Sequence, residues 1–85
     1  MDLTIIWDVD DDEGGNALHI REHGLEKDDV AHVLDYPAGK GISDSSRRPM
    51  VFAYTPDGRF ITVIFEQVDA DTVYPITAFE VPEPR

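Results

Sequence analysis

Apolar residues recur along this chain with two different periods. In residues 3–7 they alternate, so Leu3, Ile5 and Trp7 share one face of a short strand. After an acidic run broken by Gly14-Gly15, the spacing becomes helical. Asn16 suits the N-cap of a helix carrying Ala17, Leu18, Ile20 and Arg21, and Gly24 is its left-handed stop. Leu25 opens a second helix in which Glu26, Asp28 and Asp29 complement the positive end of the dipole. Val30, Val33 and Leu34 follow the i, i+3, i+4 spacing of one buried stripe, and Pro37 ends the helix. Residues 37–48, rich in Gly, Ser and charge, read as a loop. Alternation then returns in residues 49–55, 59–68 and 72–81. Thr55-Pro56-Asp57-Gly58-Arg59 is a strong turn between the first two of these strands, and Asp69-Ala70-Asp71 a second tight connection. Residues 60–65 are apolar on both faces apart from Thr62, which suits a central strand. Pro75 lacks an N–H, so the last strand should lie at an edge or contain a bulge, and Pro82 and Pro84 end it. The expected architecture is a single α+β domain over residues 1–85 in the order β-α-α-β-β-β. Two helices pack on one face of a mostly antiparallel four-stranded sheet.

Composition narrows the function. With 85 residues the chain has room for one core. Eighteen acidic against seven basic residues give a net charge of −11, which opposes nonspecific binding to nucleic acid or anionic membrane. The absence of cysteine excludes disulfides, thiolate metal sites and thiol nucleophiles. No apolar stretch approaches the roughly 20 residues of a membrane span. The opening Met-Asp-Leu-Thr lacks the pattern of a signal peptide, so a cytoplasmic protein is expected. Lys40, Arg47, Arg48 and Arg59 cluster near the middle of the sequence, where a local cationic spot can form on an anionic body.

Few residues have the spacing that chemistry demands. His19 and His23 are four apart and share a helix face, as metal-binding pairs do, but no Glu follows His19 and no third ligand is evident. His23 also precedes the terminating glycine, where an imidazole can cap the last carbonyls. That structural role is favoured over a substrate contact or a metal. His32 reads as a surface residue. The run from Asp8 to Gly14 fails as an EF-hand loop, because its sixth position would be Glu13 and its twelfth His19; it reads as a solvated acidic turn. Gly39-Lys40-Gly41 has no Walker spacing. Arg47 and Arg48, with Arg59 across the hairpin turn, could hold a phosphate or simply offset the excess negative charge. A metal-free ribonuclease needs a base, a cation for the phosphate and an acid. His23 or Glu66, Arg48 or Arg59, and Tyr54 or Tyr74 fill those roles only if they converge. No cofactor and no metal are expected.

Ile6-Trp7-Asp8, Asn16 with His19-Ile20, His23-Gly24-Leu25, Asp29-Val30 and Val33-Leu34-Asp35 resemble, in that order, the BrnT-like toxin family. The likeness continues through Arg48-Pro49, Tyr54 to Arg59, Val63-Ile64-Phe65 and Ile76-Thr77-Ala78, and so spans roughly residues 5 to 79. The resemblance implies a RelE-like fold and a type II toxin that cleaves RNA and is neutralised by a small antitoxin. Among the family's cationic positions, Arg48 and Arg59 have counterparts here. Phe79 stands where the family carries an arginine, the basic C-terminal helix is replaced by Val81-Pro82-Glu83-Pro84-Arg85, and the charge is acidic instead of basic. The expectation is therefore a toxin-like protein with reduced or lost cleavage, any cleavage resting on Arg48, Arg59, His23 and Glu66. The alternative is a non-catalytic interaction or dimerisation module on the same fold, using sheet surface from Phe60, Ile64 and Phe79.

Overall fold

The two helices form where the apolar spacing placed them. In the computed structural model, which describes residues 3–83, α1 spans Asn16–Glu22 and α2 spans Lys27–Asp35. Pro84 and the first two residues of the amino-terminal reading lie outside the described residues. Gly24 has φ of 79°, its N–H bonds the Arg21 carbonyl, and the Leu25 N–H reaches back to Ile20. This double closure satisfies the orphan carbonyls at the end of α1 through the backbone, so the capping expected of the His23 imidazole falls to main-chain groups. Leu25, expected to open the second helix, is instead the buried link after the glycine. The helix begins two residues later, with Glu26 as its cap. The Glu26 N–H bonds the Asp29 carboxylate at 2.9 Å.

The three later strands lie within a residue of their expected bounds: β3 (Pro49–Tyr54), β4 (Phe60–Asp69) and β5 (Thr72–Glu80). Among the described residues the expected count of four strands is corrected to five. Within the expected loop, residues 39–42 form β2 (Gly39–Ile42), antiparallel to β3, with Gly39 opposite Phe52 and Ile42 opposite Pro49. Gly-Lys-Gly-Ile has little intrinsic preference for a strand, so the pairing is imposed by its neighbour. Gly39 is needed there because a Cβ would sit 2.6 Å from the Phe52 ring. β1 (Thr4–Ile5) pairs with the start of β5 in parallel, giving a mixed sheet of order β1-β5-β4-β3-β2.

One face of this sheet carries the core. Val51, Ala53, Ile61, Val63, Phe65, Val73 and Ala78 meet Ile20 and Leu25 of the helical region and Val30, Val33 and Leu34 of α2. Leu3, Ile5 and Trp7 pack together against this core, as their alternation required.

β1 covers only the first residues of β5, and α1 lines the remaining edge. Thr77 and Phe79 of that edge meet His19 and His23. Register slips between Ile64 and Phe65, where Thr77 and then Pro75 are the partners, leaving Ile76 as an extra residue. The Pro75 carbonyl accepts a bond from the Asn16 side chain, so this edge of the proline faces α1 and its missing N–H costs the β4 ladder nothing.

Gly39→Ala is expected to destabilise the fold by about 1–2 kcal/mol in urea denaturation, through overpacking against Phe52. Combining it with Phe52→Leu should recover part of the loss; strictly additive losses would show that the ring is not the obstacle.

Candidate functional site

The alternation that fills the core on one side of the sheet leaves a second apolar surface on the other. Opposite the helices lie Met50, Phe52 and Tyr54 of β3, Phe60, Thr62, Ile64 and Glu66 of β4, and Tyr74, Thr77 and Phe79 of β5. Register sets Phe52, Thr62 and Phe79 abreast, with Met50, Ile64 and Thr77 in the next row. Thr62 is only 5% exposed although it faces away from the helices, because large side chains surround it. Its hydroxyl donates to the Val51 carbonyl at 3.1 Å, which removes its polarity from the surface. A concavity of about 400 Å³ opens here against Ile42, Met50, Phe52, Phe60, Ile64 and Phe79. Phe60 lies between Phe52, edge-on to it with centroids 6.2 Å apart, and Tyr54, tilted against it at 4.9 Å.

The residues singled out as catalytic do not form one constellation. Arg48 and Glu66 meet at the end of this face, Nη1 to Oε1 at 3.1 Å, in an exposed ion pair. His23 lies on the α1 rim, its ring 4.9 Å from that of His19 and 6.2 Å from that of Phe79. His19 Nε2 is 2.9 Å from the Thr77 hydroxyl. Arg59 is aimed elsewhere. Its Nη1 donates to the Gly24 carbonyl at 2.8 Å, its Nη2 to Asp29 at 3.0 Å, and its Nε to both oxygens of Asp57. The guanidinium thus ties the β3–β4 turn to the junction of the two helices. The Asp57 carboxylate, bonded by the Thr55 hydroxyl and by Arg59, is held below its ordinary pKa, and Arg59 is raised. Three of its five N–H donors are engaged and two carboxylates already balance its charge, so it is poorly placed to hold a phosphate.

Sequence reading missed a polar cluster at the β1–β5 end. Asn16, read as a helix cap, is buried. Its amide donates to the carbonyls of Ile6 at 3.0 Å and Pro75 at 2.9 Å, and its oxygen accepts from the Asp8 N–H at 2.9 Å. The N-cap is Gly15 instead, because the Asn16 side chain is committed to the sheet. Asp8 in turn accepts from the Asn16 N–H at 2.9 Å and from the Tyr74 hydroxyl at 2.5 Å. The Tyr74 hydrogen bond, then that of Asn16, lowers the Asp8 pKa; the same bond raises that of Tyr74, reinforced by burial and the nearby charges of Asp8, Asp12 and Glu66. The alternation of Met50, Phe52 and Tyr54 was the one sequence signal for the rest of the apolar face.

Among the described residues no group of three or more His, Asp or Glu side chains is arranged to hold a metal ion. No helix among them is long and apolar enough to cross a membrane. No protein-family model, curated protein or solved structure matches the chain.

Arg59→Ala should lower the thermal midpoint more than Arg48→Ala, because it releases a partly buried Asp29 and a backbone carbonyl while Arg48 leaves only an exposed pair. Equal effects would remove Arg59 from its tethering role.

Stability should also fall at both ends of the pH scale. The contribution of Asp8 is full above its ordinary value of 3.8 and is lost as pH falls through the depressed folded value. Asp10, Asp57 and Asp69 shift in the same direction and steepen the acid limb. The contribution of Tyr74 is full below its ordinary value of 10.0 and is lost as pH rises beyond it. Tyr74→Phe should flatten the alkaline limb and move the Asp8 titration, followed by carbon-detected NMR, back upward.

Proposed function

We infer that this chain is a toxin-like protein of the BrnT and RelE-like type in which the fold is kept and RNA cleavage is lost, its open sheet face serving to dock a protein. The ordered motifs that resemble the family support the lineage. The α+β order, with two helices on one face of a sheet whose last three strands run antiparallel, is compatible with a RelE-like fold. The apolar open face is the observation that carries the docking function. Half-buried Met50, Phe52, Phe60, Ile64 and Phe79, flanked by exposed Ile42 and Tyr54, form a contiguous apolar patch on one side of the sheet, the kind of surface that marks an interaction site. Two arginines that would serve an RNA-cleaving site are engaged with carboxylates, Arg59 with Asp29 and Asp57 and Arg48 with Glu66. With a net charge of −11, the chain also repels a polyanion before any contact forms.

Cleavage of RNA is the second reading, and what favours it is the exposure of Arg48 and Glu66: they share a single contact at 3.1 Å on an accessible surface, where a substrate could separate them into a cation and a carboxylate base. Incubation of the purified chain with structured and single-stranded RNA decides between the two. No cleavage above background is expected, and none should appear after Glu66→Gln. Cleavage by the unaltered chain that disappears in both Arg48→Ala and Glu66→Gln would overturn the docking reading in favour of catalysis.

A further inference from the structure

We propose that the occupant of the open sheet face is a cationic amphipathic helix of another protein, its apolar stripe seated on Phe52, Phe60, Ile64 and Phe79 and its Lys or Arg side chains over the acids around them. The proposal rests on the docking reading and adds the chemistry of the partner.

The surroundings of the face set the sign of the charge. Asp44 borders the concavity where the β2–β3 connection passes it. Glu66 lies at the far end of β4, and Asp8 and Asp12 are close enough to act on the Tyr74 hydroxyl electrostatically. At the opposite corner Glu83 accepts the Tyr54 hydroxyl at 3.2 Å. Arg48 faces the same surface and offsets Glu66, so the net negative charge of the border comes from Asp44, Asp8, Asp12 and Glu83. An apolar floor with an acidic border on a body of charge −11 attracts a positively charged amphipathic segment and repels an acidic one.

The same charge argues against a second copy of this chain as occupant. Two such faces brought together would set acidic borders against each other and join two bodies of charge −11. Geometry favours a helix as the missing layer. The opposite face of the sheet is already completed by helices, and an apolar sheet face is normally closed by a packed layer. Four strands at about 4.8 Å spacing span about 14 Å between the outer pair, which a helix crosses in about 10 residues, nearly three turns.

The test uses the full isotope-labelled chain and two synthetic peptides of about 15 residues. Both carry the same leucine stripe; one has lysines on its polar side and the other glutamates. The lysine peptide should shift the amide signals of Phe52, Phe60, Ile64 and Phe79 and bind at least tenfold more tightly than the glutamate peptide, an advantage that shrinks in high salt. Ile64→Lys should weaken it at least tenfold. The double variant Asp44→Lys, Glu66→Lys leaves the apolar floor intact and should narrow or invert the preference. Equal affinity for the two peptides on this face would overturn the charge assignment and leave the docking reading standing. Signal changes confined to the acidic turn at residues 8–13 would overturn the proposal, as would a dimer formed through this face that neither peptide displaces. Binding of neither peptide, by a chain that remains monomeric, would overturn both readings together.

Discussion

The buried amide of Asn16 is the contact on which the amino-terminal third depends. β1 contributes only two residues to the ladder with β5, too few to hold a strand by backbone bonds alone. Asn16 supplies the rest: it spans from the Ile6 carbonyl to that of Pro75 and also takes the Asp8 N–H. Each of its side-chain donors and its acceptor has a protein partner in a place where an unmet polar group would cost roughly 1–3 kcal/mol. Because the Pro75 carbonyl points at α1, the helix replaces a sixth strand along the edge of β5. The position of α1, the bulge at Ile76 and the location of His19 and His23 on the rim follow from that substitution.

Charge organisation separates the two faces of the molecule. Arg59 is drawn to the helical side by Gly24, Asp29 and Asp57, so it fixes the hairpin turn against the helix junction. Lys27 similarly bridges elements, reaching Asp10 at 2.6 Å while lying 5.7 Å from the centre of the Trp7 ring. The scarce cations are thereby spent on holding the chain together, and the open sheet face is left apolar with an acidic surround. On this layout, association through the sheet is governed by shape, apolar area and long-range attraction of positive charge.

How far the sequence could be read depended on the distance over which each residue's role is decided. Val30, Val33 and Leu34, the alternation of β3, and the Pro-Asp-Gly turn are governed by neighbours a few positions away, and all were legible. β2 was not, because Gly39 to Ile42 become a strand only through the Phe52 ring and the backbone of β3. Asn16 has the local signature of a helix cap; its real partner at Pro75 lies at the other end of the chain. Arg59 beside a turn looks like a free cation until Asp29, thirty residues earlier, is folded against it. Of the candidate site, Phe60, Ile64 and Phe79 could be named from alternation. Met50 and Phe52 shared the alternation of β3, but setting them beside Ile64 and Phe79, and the acids around them, required the register.

The parallel pairing of β1 with β5 has a consequence for synthesis. Thr4 and Ile5 are made 68 residues before their partners Thr72 and Val73. At about 5–20 residues per second, roughly 3–14 s pass before the first strand can dock. During that interval Leu3, Ile5 and Trp7 have no native surface to cover them, and Asn16 has no carbonyl at Pro75 to satisfy. The acidic run that follows them, Asp8 and Asp10 to Glu13, has the composition of a gatekeeper, whose like charge disfavours association of the uncovered apolar segment.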